Sequence, residues 1–134
     1  METIQAHDLT RLSSFQWKPG MQRLRWNPAR LEHLTPMGRV GGMAPTEETF
    51  WNSICVPDLN DPATMGLLFL LAVELYEQRG YQAVQLVTTV EGEDLASLRW
   101  LLIDWRGCYL GDESPTKIGA IYSALSKADE HEQV

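Results

Sequence analysis

Residues 57–80, Pro-Asp-Leu-Asn-Asp-Pro-Ala-Thr-Met-Gly-Leu-Leu-Phe-Leu-Leu-Ala-Val-Glu-Leu-Tyr-Glu-Gln-Arg-Gly, carry their own helix start and stop signals. Asp61 suits the N-cap, and Pro62 suits the first helical position, where its missing N–H would be unpaired in any case. Gly80 suits the left-handed residue that closes a helix. From Met65 to Val73 the segment is apolar nearly all round, so the helix predicted over 62–79 demands burial against a sheet, a second helix or another chain. That demand sets architecture and names no chemistry.

A chain of 134 residues is long enough for one domain, and 44% apolar with 22% charged residues fits an ordinary globular protein. The longest apolar run, Leu67–Val73, falls far short of the roughly 20 residues of a membrane helix. At the N-terminus, Met-Glu-Thr-Ile-Gln-Ala-His-Asp has no basic stretch followed by an apolar one. No secretory signal and no membrane association are therefore expected, and the expected location is cytoplasmic. Cys55 and Cys108 fit a reducing compartment, each as a small buried hydrophobe.

Charge is unevenly spread. Residues 1–40 carry six basic groups against three acidic ones, and residues 41–134 carry five against fifteen, giving +3 and −10 within a net charge of −7. An acidic body repels nucleic acid and membrane surfaces and favours encounter with basic partners.

The first 56 residues are broken every few positions by Lys18-Pro19-Gly20, Asn27-Pro28, Thr35-Pro36, Gly41-Gly42 and Ala44-Pro45, which leaves room only for short elements. Two short helices are predicted there, over 27–34 and 46–54, with a linker from Gly38 to Pro45. After Gly80 the period changes. Ala83–Val90 alternates as a β-strand, Glu91-Gly92-Glu93-Asp94 is a turn, and Ser97–Trp105 reads as a strand covered on both faces. Leu95, Leu98, Leu102 and Trp105 also fit a helix; the turn signal Arg106-Gly107 before Cys108-Tyr109-Leu110 favours strands and a tight hairpin. Ser114 and Pro115 then suit the N-cap and first position of a last helix, whose apolar stripe is Ile118, Ile121, Tyr122 and Leu125. The expected class is α+β: an irregular, basic, Trp-containing region with short helices over 1–56, an α-β-β-β-α core over 57–128 with a three-stranded antiparallel sheet and two main helices, and a polar, frayed tail over 129–134.

The segment Asp58-Leu-Asn-Asp-Pro-Ala-Thr-Met-Gly-Leu-Leu, then Trp-bearing strands, then Gly111 through Ser114-Pro-Thr-Lys-Ile-Gly-Ala-Ile-Tyr-Ser-Ala-Leu, resembles the small phage α/β (ABA) sandwich domains over residues 57–128. The resemblance implies that fold and a phage or prophage context, with no catalytic residues to carry over. The same element order is that of the double-stranded RNA-binding domain, whose last helix opens with phosphate-gripping lysines. Here Ser114-Pro-Thr-Lys-Ile-Gly offers one lysine behind Asp112 and Glu113, which disfavours RNA.

Neither metal nor cofactor is expected: His7, His33 and His131 are scattered and lack ligand spacing, and the glycine-rich Gly38-Arg39-Val40-Gly41-Gly42 lacks the flanking strand and helix of a phosphate loop. Turn acids such as Asp104, Asp112, Glu91, Glu93 and Asp94 read as solvated. Trp17, Arg23, Arg25 and Trp26 interleave aromatics with cations. They can bind single strands by stacking and phosphate contact, or fold back on the acidic body or a second subunit, which charge complementarity favours. The expected function is non-enzymatic: contact with another protein, basic or nucleic-acid-binding, and self-association as a homodimer. Its specific form is an anti-defence inhibitor whose acidic surface, Glu91, Glu93, Asp94, Asp112 and Glu113, occupies a basic channel. The alternative is a nucleic-acid-binding accessory protein using residues 11–30.

Overall fold

The structure, a computed structural model, describes residues 6–27, 30–41 and 55–132. Among them are three helices and five strands, an α+β protein, in two compact units that divide between Leu71 and Ala72.

In the first unit a short helix α1 (Ala6–Thr10) precedes strands β1 (Gln22–Asn27), β2 (Arg30–Arg39) and β3 (Cys55–Pro57), an antiparallel sheet of order β2-β1-β3. Gln22 pairs with Arg39 and Asn27 with Arg30, while Arg25 pairs with Cys55 on the other side. The helix predicted over 27–34 is therefore not formed, because residues 30–34 run back along β1. A segment that short cannot hold a helix alone, whereas a hairpin partner satisfies its backbone at once. Gly38 and Arg39, the start of the expected linker, belong to β2, and Val40 follows as a buried residue whose N–H donates to the Met21 carbonyl at 2.8 Å. Residues 42–45 of that linker and the helix expected over 46–54 lie outside the described residues. Leu9, Phe15, Trp17, Met21 and Cys55 form the core with Leu68 and Leu71, and Trp17 stands edge-on to Phe15 with ring centroids 5.2 Å apart.

Helix α2 (Pro62–Gln78) starts and stops where its signals place it. The Asp61 carboxylate accepts from the Thr64 N–H at 3.0 Å and the Thr64 hydroxyl at 2.7 Å, and Arg39 pairs with it at 2.8 and 2.9 Å. The Thr64 oxygen in turn accepts from the Gln22 N–H at 2.8 Å, tying the helix start to β1. At the other end Gly80 takes φ +94, and the Tyr81 and Gly80 N–H groups donate to Tyr76 and Glu77 at 3.1 Å, a Schellman close. Thr64, Leu68, Leu71, Ala72 and Tyr76 are buried, while Leu70 is 42% exposed. Burial of the apolar helix is thus less complete than its composition demands.

In the second unit β4 (Gln85–Glu91) and β5 (Asp94–Ile103) form a hairpin, with Leu86 opposite Leu102 and Thr88 opposite Trp100. Gly92 takes φ +60 in the two-residue turn. Leu101 and Leu102 are both buried, so β5 is a strand covered on both faces at this end. The third strand expected at Cys108–Leu110 is realised as isolated bridges: Ile103 with Tyr109, and Trp100 with Ser114. Gly111, at φ +99, turns the chain between them before a ladder can extend.

Helix α3 (Lys117–Glu132) packs on β5. Its N-cap is Thr116 instead of Ser114, since the Thr116 hydroxyl accepts from the Gly119 N–H at 3.0 Å. The buried stripe is Ala120, Ile121, Ala124, Leu125 and Ala128, turned from the expected one so that Ile118 and Tyr122 are half-buried. Residues 129–132, expected to fray, continue the helix. The Tyr76 hydroxyl donates to the Ala124 carbonyl at 2.6 Å and Arg79 to that of Ala128 at 3.1 Å. Burial pushes the Tyr76 hydroxyl up to about 12. No helix among the described residues is long and apolar enough to cross a membrane.

Candidate functional site

Along the edge of β5 away from β4, residues 104–116 return as a turn, a bridge and a loop. Asp104 organises the turn. Its side chain is fully buried and accepts from the Cys108 N–H at 2.9 Å, the Arg106 N–H at 3.0 Å and the Arg106 guanidinium at 3.3 Å. Burial alone would raise this carboxyl; the Cys108 and Arg106 donors outweigh it and hold the group below its ordinary value. Asp104 is therefore a structural anchor and not a solvated turn acid. Gly107 takes φ +80 to close the turn, and the Trp105 N–H is held by the Gln82 carbonyl at 2.9 Å.

This frame presents two large aromatics to solvent. Trp105 is 65% exposed and Tyr109 62%, with the Arg106 guanidinium 5.9 Å from the centre of the Trp105 ring. The strand expected over Ser97–Trp105, covered on both faces, stops at Ile103, so Trp105 falls in the turn and is exposed instead of covered, and Tyr109, expected on a third strand, is exposed as well. The available signal was the Arg106-Gly107 turn, because turn tips face water.

The acidic pair Asp112 and Glu113 follows on the same segment, and both are exposed. The Asp112 N–H donates to the Ser123 hydroxyl at 2.7 Å, which pins the loop to α3. Two glycines make the approach close. A β-carbon on Gly111 would sit 2.7 Å from the Ala124 nitrogen, and one on Gly119 would overlap the Ser114 hydroxyl. Beside the crossing runs an open groove of about 610 Å³, lined by the acids and by hydroxyls of Ser114, Thr116, Tyr122 and Ser126. Lys117 lies 4.9 Å from the centre of the Trp100 ring, flanking the loop.

The other candidate residues lie elsewhere. Glu91, Glu93 and Asp94 are exposed at the β4–β5 turn. Along β4, Glu91, the partner of Asp94, stands three positions from Thr88, the partner of Trp100, on the order of 10 Å of strand, and Trp100 in turn bridges Ser114. The two acidic clusters lie on different segments, the β4–β5 turn and the loop before α3. In the first unit Trp17 is 3% exposed and belongs to the core. The Arg23 guanidinium donates to the Met37 and Gly38 carbonyls at 3.3 Å, and Arg25 is exposed. Trp26 lies on β1; its side chain, and those of His7, His33 and His131, lie outside the described residues. Cys55 is buried with its thiol 3.3 Å from the Met37 sulfur, and Cys108, expected to be buried, is exposed. Among the described residues no group of three or more His, Cys, Asp or Glu is placed to hold a metal ion.

No family model, curated protein or solved structure matches this chain.

Proposed function

We propose that this chain is a protein-interaction protein of phage or prophage type that works by contact and without catalysis. Its docking surface is the 104–113 segment, and its partner is a basic, nucleic-acid-binding protein whose channel the acidic surface fills, as an anti-defence inhibitor would. The observation that carries the reading is the pair of exposed aromatics, Trp105 and Tyr109, held on a turn fixed by buried Asp104 and followed by Asp112 and Glu113. Rigid aromatics are the usual energetic anchors of protein interfaces, and they lose little side-chain freedom on binding. Acidic neighbours add speed of encounter and choice of partner.

Partner recovery from a bacterial lysate tests this. Trp105→Ala with Tyr109→Ala should weaken binding by about 2 kcal/mol or more, roughly thirtyfold, and Asp112→Lys with Glu113→Lys should slow association. Unchanged recovery by both pairs, with the fold intact by circular dichroism, removes this surface from the function. Reversal of Glu91, Glu93 and Asp94 asks whether the hairpin turn takes part. Salt-sensitive binding of single-stranded DNA or RNA that Arg25→Glu abolishes would instead favour the nucleic-acid reading; stacking there has lost Trp17 to the core.

A further inference from the structure

The opposite edge of the same hairpin carries a second inference, independent of the 104–113 surface. Backbone bonds of β5 fix which groups of β4 face outward. Trp100 exchanges both of its bonds with Ser114, at 2.6 and 2.9 Å, and the Leu102 carbonyl accepts from the Leu110 N–H at 2.8 Å. The polar backbone groups of residues 100 and 102 therefore point away from β4. Opposite residues of an antiparallel pair share this alternation. Thr88, opposite Trp100, and Leu86, opposite Leu102, accordingly turn their N–H and C=O groups to the outer edge. Among the described residues no strand pairs with that edge.

Edges of this kind are normally protected by charge, proline or brevity. The seven residues of β4, Gln-Leu-Val-Thr-Thr-Val-Glu, hold no proline or lysine and no charge before Glu91.

We propose that two copies of this chain pair β4 to β4, antiparallel about a two-fold axis at Thr88, joining their hairpins into a four-stranded sheet. In that register Thr88 faces Thr88 of the partner subunit, and Leu86 faces Val90 of the partner subunit. Threonine pairs and aliphatic pairs are both favourable across strands, and Val90, 45% exposed in the single chain, gains cover. Glu91, the only charge on the strand, meets Gln85 of the partner subunit and not its own copy. This self-complementarity selects a second copy over a foreign strand, because a two-fold interface must satisfy the same residues from both sides.

Sedimentation equilibrium of the full chain tests the proposal, with dilution expected to carry the mass from twice 15.2 kDa to 15.2 kDa. Thr88→Pro removes an outward N–H that β5 does not use, and Thr88→Lys sets two like charges face to face. Each should weaken self-association at least about tenfold, a loss read directly from the dissociation constant, with circular dichroism unchanged. Should proline disturb β4, the lysine variant interrogates the same contact. A chain monomeric at every concentration overturns the proposal, as does a dimer that Thr88→Lys leaves intact. Asp112→Lys with Glu113→Lys, on the opposite edge, should leave the mass unchanged, which separates this outcome from failure of the docking surface.

Discussion

Four donors converge on the Asp61 carboxylate: the Thr64 N–H and hydroxyl, and two guanidinium nitrogens of Arg39. Arg39 first, then Thr64, hold this carboxyl well below the usual carboxylate range. A depressed folded-state value contributes stability at pH above the ordinary carboxyl range, about 4, and loses it as pH falls through the folded-state value. Asp61→Asn keeps a capping oxygen and gives up the ion pair. At neutral pH the variant should melt below the wild type, and the gap should narrow as pH drops below about 4; thermal melts across that range check the sign. The cap itself was legible in the sequence from Asp61-Pro62, because an N-cap is satisfied within one turn of chain. The Arg39 partner was not, since it arrives from a strand whose position depends on long-range pairing.

Elements divide by the same criterion. Helix α2 could be read from residues 57–80 because both of its ends are local devices. The hairpin β1–β2 was missed, although Gln22-Arg23-Leu24-Arg25-Trp26 alternates polar and apolar residues as a strand does. Its partner spans Arg30–Arg39 through two register shifts, and Asn27-Pro28 and Pro36 read as the start and stop of a short helix over 27–34. On α3 the apolar period was legible but its rotation was not. The alanine face is buried because the 111–116 loop crosses the helix at Gly111 and Gly119. Gly119→Ala should therefore destabilise the protein by about 1–3 kcal/mol through overlap with Ser114, although alanine is the better helix former. Ser114→Gly in the same chain should recover part of that loss, a coupling that denaturant melts of the four variants would measure.

At the scale of the molecule, the net charge of −7 acts oppositely on the two edges of the β4–β5 hairpin. Pairing of β4 with its own copy brings two acidic chains together, so added salt should tighten the dimer by screening repulsion. Docking of the Asp112–Glu113 side on a basic protein should weaken in the same titration. Measuring both associations from low to physiological salt checks the opposed signs. The acidic half of the proposed surface was visible in composition; its aromatic half was not, because exposure of Trp105 and Tyr109 follows from a buried carboxylate that looks like any turn acid. Cys108 stands within that turn, exposed, with its N–H on the Asp104 carboxylate, whereas Cys55 is buried and its thiol pushed up by that burial. The wild-type chain thus comes with a chemical handle for a thiol-directed fluorophore at the very spot where a bound protein would quench or brighten it.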